Sequence, residues 1–144
     1  MPEPAGYSGT PLVRKLGIKP GHLVLMIGAP EGFDLGELPD GAVVHGRQGR
    51  IRYDVVLAFC PDRGTLEHWF EPLMAGLGPA SALWVAWPKK ASKVPTDLDE
   101  NGVRDHGLTA GLVDVKICAI DAVWSGLKFV YRLADRPTAS RIQA

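Results

Sequence analysis

Leu83-Trp84-Val85-Ala86-Trp87-Pro88-Lys89-Lys90-Ala91-Ser92-Lys93-Val94-Pro95-Thr96-Asp97 changes character partway along. Leu83 to Trp87 is apolar without interruption, the pattern of a strand covered on both faces. Pro88 ends the run, and Lys89, Lys90 and Lys93 make the next loop basic. Thr96 and Asp97 then offer side-chain oxygens to cap a helix, with Asp99 or Glu100 in capping-box positions. A buried strand that feeds a helix through a polar loop is a unit of an α/β sheet, and such sheets bind ligands beyond the carboxyl ends of their strands. Trp84 and Trp87 lie an odd number of residues apart, so they face opposite sides of the sheet.

Reading outward toward the N-terminus, Tyr53 to Phe59 is a second strand of the same apolar, β-branched kind. Asp62 or Thr65 caps the helix between the two. Leu66, Trp69, Phe70, Leu73, Met74 and Leu77 recur at three- and four-residue steps and give that helix one apolar face. Pro72 interrupts the pattern, which predicts a kink or a division, and Gly78-Pro79 predicts the end. His22 to Ile27 is another continuous apolar run, closed by Gly28, and Ala42 to His45 is a shorter one. A polar loop, Gly46 to Arg52, carries Arg47, Arg50 and Arg52. Between Phe33 and Leu38 the sequence allows only a weak turn of helix, because Gly36 and Pro39 break it. Before all of these, Thr10 as N-cap and Pro11 at the first helical position predict a short helix that Gly17 stops.

Toward the C-terminus, the helix beyond Thr96 holds Gly102 and Gly107. Val113 to Ile120 and Trp124 to Leu133 are strands whose connection is too short for a parallel crossover, so they pair antiparallel. The expected organisation is a flexible lead at 1–9, a single α/β domain at 10–133 and a polar tail at 134–144.

The 144 residues fit one core, and a hydrophobic share of 46% is enough to build it. Lys+Arg and Asp+Glu are 16 each, and that balance argues against nucleic acid as a partner. The first residues have neither a basic start nor an apolar run, and no segment reaches the roughly 20 apolar residues that span a membrane. The expectation is a soluble, cytoplasmic protein that does not engage a membrane. Cys60 and Cys118 show no metal spacing and read as buried thiols. His22, His45, His68 and His106 show no ligand spacing, so no metal is expected. Ser8, Ser92 and Ser125 lack the G-x-S-x-G setting of a serine hydrolase.

Leu23 to Gly28 resembles the first strand and glycine turn of the S-adenosylmethionine-dependent methyltransferases. Tyr53-Asp54-Val55-Val56 resembles their fourth strand, Leu77-Gly78-Pro79 before Leu83-Trp84-Val85 their passage into the fifth, and Val113 to Arg132 their terminal hairpin. Gly6-Tyr7-Ser8-Gly9-Thr10-Pro11-Leu12, Gly28-Ala29-Pro30-Glu31-Gly32 and Trp87 to Asp97 are similar to a small bacterial family of unknown function. These resemblances imply a three-layer α/β sandwich. Its sheet would be mostly parallel and Rossmann-like and would end in an antiparallel hairpin, a reduced methyltransferase-like fold. The departures are specific. Pro30 stands where the methyltransferase loop carries its middle glycine, and it brings a ring and no N–H. No acidic residue ends the strand at His45, and there is no room before Tyr53 for the strand and helix that complete the adenine side.

The candidate site therefore gathers at the strand ends. The loop with Lys89, Lys90 and Lys93 would hold an anionic small molecule, aided by the helix start beyond Thr96. Gly28, Pro30, Glu31 and Gly32 would form the opposite wall, with Glu31 as a base or hydroxyl acceptor, and Trp87 would close one side. Cys60, at a strand end before a helix, reads as inert. The functional expectation is a ligand-binding or regulatory module that uses no cofactor, with ordinary use of S-adenosylmethionine argued against by Pro30 and His45. The alternatives are a methyltransferase with a rebuilt cofactor loop and a protein-interaction module, for instance a homodimer through an edge strand of the hairpin.

Overall fold

The computed structural model describes residues 10–132; the expected lead at 1–9 and tail at 134–144 lie outside the described residues. Six strands form one sheet in the order β2-β1-β3-β4-β6-β5. They are β1 (Leu23–Ile27), β2 (Val43–His45), β3 (Tyr53–Phe59), β4 (Leu77–Pro88), β5 (Leu112–Ala119) and β6 (Trp124–Tyr131). Neighbours β2-β1, β1-β3 and β3-β4 are parallel, and β6 is antiparallel to both β4 and β5. Only β6 therefore opposes the rest, and β5 reaches its place by a crossover through a helix. This is the mostly parallel sheet with a terminal antiparallel hairpin that the sequence predicts.

Helices α2 (Arg63–Ala75) and α3 (Glu100–Ala110) cover one face, packing Leu66, Phe70, Leu73 and Val103 against Leu25, Val56, Leu83, Trp87, Leu127 and Phe129. The short α1 (Leu12–Leu16) and the chain around Leu35 cover the other, against Val24, Val55, Leu57, Trp84 and Ala86. Trp84 and Trp87 do face opposite sides. Trp84 is fully buried, and its indole N–H donates to the Leu16 carbonyl at 3.1 Å. That bond satisfies a buried donor and an orphan carbonyl at the end of α1 together. A five-residue helix is too short to persist alone, so α1 depends on this anchor and on the left-handed Gly17 that ends it at φ +81°.

Several boundaries differ from the sequence expectation, each for a local reason. Pro11 occupies the N-cap position of α1, and no side chain caps it there. Residues 33–38 form no helix. Helix α2 passes through Pro72 undivided, and it ends at Gly76 rather than at Gly78-Pro79, because Leu77 already pairs with Tyr53 as part of β4. Asp99 caps α3, accepting the Gly102 N–H at 2.8 Å. Asp97, expected to cap α3, instead accepts the Arg63 N–H at the start of α2 at 2.7 Å. Thr96 donates to the Pro61 carbonyl at 2.7 Å. The loop after β4 is thus tied to the loop after β3 by the residues that the sequence assigns to a helix start.

Candidate functional site

The strands β1, β3 and β4 point the same way and end at one edge, with Ile27 beside Ala58 and Phe59 beside Ala86. Their three following loops consequently meet there. Strands β2 and β3, which follow β1 in the chain, lie on opposite sides of it, so the switch in strand order falls at β1. Such sheets receive ligands beyond the ends of the strands that flank this switch, here β1 and β3.

Gly28 opens the loop after β1 with φ +71°, and a Cβ there would stand 3.0 Å from the Phe59 carbonyl oxygen. Only glycine combines that left-handed backbone with so close a pass over β3. Pro30 accepts the Phe33 N–H in a turn, Glu31 is exposed, and Gly32 returns to the left-handed region at φ +81° with open space beside it. Phe33 then packs edge-on against Phe59 at 4.9 Å and turns the chain onto the α1 face.

A cavity of about 390 Å³ lies at the end of β4 on the α2–α3 face. Trp87, Ile117 and Ser125 line it together with Lys89 and Lys90 and with Asp99, Glu100 and Asn101 at the start of α3. Trp87 and Ser125 are direct partners across the β4–β6 ladder, which places both on this face. Ile117 joins them through an irregularity: the register shifts between Asp114 and Lys116. Asp114 and Ile117 are an odd number of residues apart, yet both meet the α3 side. Asp114 accepts from the Arg104 Nε at 2.9 Å while Ile117 lines the cavity. Arg104 also holds Glu100 at 2.5 Å, and these partners raise its already high pKa.

Of the residues singled out in the sequence, Trp87, Lys89 and Lys90 converge on this cavity. Lys93 ends the 3-10 turn Lys90–Ser92 in a left-handed conformation at φ +63° and is exposed outside the lining. Gly28, Pro30, Glu31 and Gly32 lie in the loop after β1, outside this lining, and the wall facing the lysines is the start of α3. Asp99, Glu100, Asn101, Ile117 and Ser125 escaped the sequence reading. For Asp99 and Glu100 the signal was present as a helix start; for Ile117 no local signal exists, because a strand irregularity delivers it.

The remaining candidates are structural. Burial, with the Asp62 charge added, pushes the Cys60 thiol up to about 12, so it stays protonated and unreactive. Cys118 is also pushed up, chiefly by burial. The Tyr53 hydroxyl accepts the Gly49 N–H at 2.8 Å and lies 3.2 Å from His45 Nδ1, folding the arginine loop over the start of β3. His68 is exposed on α2. Among the described residues no group of three or more His, Cys, Asp or Glu could hold a metal ion, and no helix is long and apolar enough to cross a membrane.

No protein-family model matches the sequence, and no curated protein matches it. Solved structures are similar in fold. A complex of DhpI with SAH matches with a TM-score of 0.58 at 9% identity, covering 81% of this chain and 79% of that one. A DhpI–SAM–HEP complex matches with a TM-score of 0.54 at 8% identity, covering 82% and 83%. The expectation of a scaffold without a cofactor is corrected by these complexes, since both similar structures hold SAH or SAM. Pro30 and His45 bear on one manner of holding the cofactor, not on the scaffold itself. The chain has a reduced methyltransferase-like, Rossmann-like fold, with six strands and a closing antiparallel hairpin.

Proposed function

We propose that the protein is an S-adenosylmethionine-dependent methyltransferase with a rebuilt cofactor loop, in place of the ligand-binding module without a cofactor that the loop sequence favoured. The observation that carries this reading is the turn at Gly28. It lies at the switch in strand order, its left-handed backbone runs so close over β3 that a Cβ would stand 3.0 Å from the Phe59 carbonyl oxygen, and it is followed by Gly32 with open space beside it. Gly28 lets the turn pack closely on β3, and Gly32 leaves the loop open to a ligand that must come close to the chain. The similar structures that hold SAH and SAM give the ligand its class.

The residues fit that group on one side and depart on the other. Gly28 and Gly32 supply the approach. The second strand ends at His45, opposite Leu25 in the middle of β1, so it cannot present a carboxylate at the strand-end edge. The exposed Glu31, in the loop itself, takes the role of hydroxyl acceptor in this reading. When bound, S-adenosylmethionine supplies an electrophilic methyl group. The chain's part is to position it: the Gly28 turn sets the approach, Glu31 orients hydroxyl groups, and the loop after β4 faces the acceptor. The Thr96–Pro61 and Asp97–Arg63 bonds hold that loop beside the loop that follows β3.

Calorimetry and thermal unfolding with S-adenosylmethionine and S-adenosylhomocysteine test the reading. Saturation at about 100 times Kd stabilises the native state by about 2.7 kcal/mol, which raises Tm by several degrees. No heat and no shift at millimolar concentrations of either ligand would defeat it.

A further inference from the structure

The cavity beside β4 has a chemistry that the cofactor reading does not use. We infer that it binds a small amphiphilic carboxylate, an anionic head on an apolar body, and that under the methyltransferase reading this ligand is the methyl acceptor. Trp87 and Ile117 supply an apolar floor, Ile117 with 45% of its surface exposed. An exposed isoleucine beside a buried tryptophan in a concave site is apolar surface left available to a ligand.

The charges select the head group. Asp99 is engaged with the Gly102 N–H and Glu100 with Arg104. Lys89 and Lys90 form no ion pair among the described residues, although both line the same cavity. Glu100 is ion-paired with Arg104, whereas Asp99 meets only a neutral N–H, so two unpaired ammonium groups stand against one uncompensated carboxylate and the lining favours an anion. Ser125 and Asn101 line the same cavity, and although the Asn101 Oδ1 already accepts from Arg104, the two residues offer polar groups for the rest of the ligand. At about 390 Å³ the cavity falls in the range of small-molecule sites. Strand β3 alone separates β4 from β1, so the β4 wall of the cavity stands about 10 Å from β1, whose following loop begins at Gly28.

The acceptor role rests on the methyltransferase reading, but binding does not, and the test uses no cofactor. Amide spectra of the full chain are titrated with naphthalene-2-carboxylate, with acetate and with the neutral naphthalene-2-methanol. The carboxylate should shift Lys90, Asn101 and Ser125 and bind at least about tenfold tighter than either comparison compound, with an affinity that falls as salt rises. Lys89→Met with Lys90→Met should weaken it about tenfold while unfolding at the temperature of the unsubstituted protein, and Ile117→Ser should weaken it severalfold. Equal binding of the neutral compound, unchanged affinity in the double variant, or shifts confined to other surfaces would each overturn the inference. Failure of S-adenosylhomocysteine to bind would strike the methyltransferase reading and leave this result standing.

Discussion

Gly107 is the position at which a single methyl group should disturb both the fold and the cavity. It lies in α3, buried against β6, and an added Cβ would come within 2.5 Å of Phe129 Cζ and 2.6 Å of Cδ1. Phe129 Cε1 would be nearer still, and ordinary carbon contacts fall at 3.5–4.0 Å, so helix and ring must part by more than about 1 Å. Phe129 is fully buried in β6, which is flanked by β4 and β5, and its ring also packs edge-on with Phe70 at 5.7 Å. It has little room to yield. Gly107→Ala gains about 1 kcal/mol of helix propensity. Overpacking takes back about 1–3 kcal/mol, and lifting α3 also loosens the fully buried Val103, which holds part of the roughly 1.5 kcal/mol that burying a valine provides. The expected net loss is about 2 kcal/mol, a fall in Tm of roughly 6–8 °C for a chain of this size. Urea unfolding should show a lower midpoint with an unchanged slope. Phe129→Leu removes the offending ring atoms, so the pair of substitutions should be less damaging than the sum by about 1 kcal/mol or more. A Gly107→Ala protein as stable as its parent would refute this account of how α3 seats on the sheet, and with it the placement of Asp99 and Glu100 beside Lys89 and Lys90.

Three further outcomes are expected. Trp84→Phe keeps the apolar body but strands the Leu16 carbonyl, so it should cost about 1–3 kcal/mol and raise hydrogen exchange in α1 far more than in α2; uniform exchange would contradict the anchoring role. Cys60 should resist iodoacetamide in the native state at pH 8, and its titration should lower stability as pH rises from 9 toward 12. An exposed thiol loses its proton near 9.0 while the folded one retains it to about 12, so the native state binds more protons across that window. Rapid native labelling would show the thiol to be accessible. Gly32→Ala and Gly36→Ala both force a side chain into the left-handed region, at φ +81° and +92°, with nothing within 4 Å, and each should cost about 1–2 kcal/mol. Only Gly32→Ala should also weaken S-adenosylhomocysteine, by about tenfold, in calorimetry; equal effects would place the cofactor elsewhere.

The sequence by itself determined the sheet. The runs Leu23–Ile27, Tyr53–Phe59 and Leu83–Trp87 are apolar on both faces, and a parallel sheet covered on both sides is what such runs build. Alternation around Trp84 and Trp87 separated the two faces, and the short connection before Trp124 fixed the hairpin as antiparallel. Local chemistry also marked the edge at which the three loops meet, because each loop follows a strand that runs the same way.

What only the tertiary structure decided is which groups meet across that edge. Asp97 and Thr96 read locally as helix caps, yet the Arg63 N–H and the Pro61 carbonyl, more than thirty residues away, are their partners. Capping oxygens serve whichever backbone group packing brings within reach, and that choice is invisible in a local pattern. Ile117 enters the cavity because the β5–β6 register shifts, and such an irregularity reverses the side from which every later residue of the strand projects. The lysine loop was legible as a basic segment. Its facing wall was not, since Asp99 and Glu100 come to line the same cavity as Lys89 and Lys90 only when α3 folds back across the sheet to connect β4 with β5.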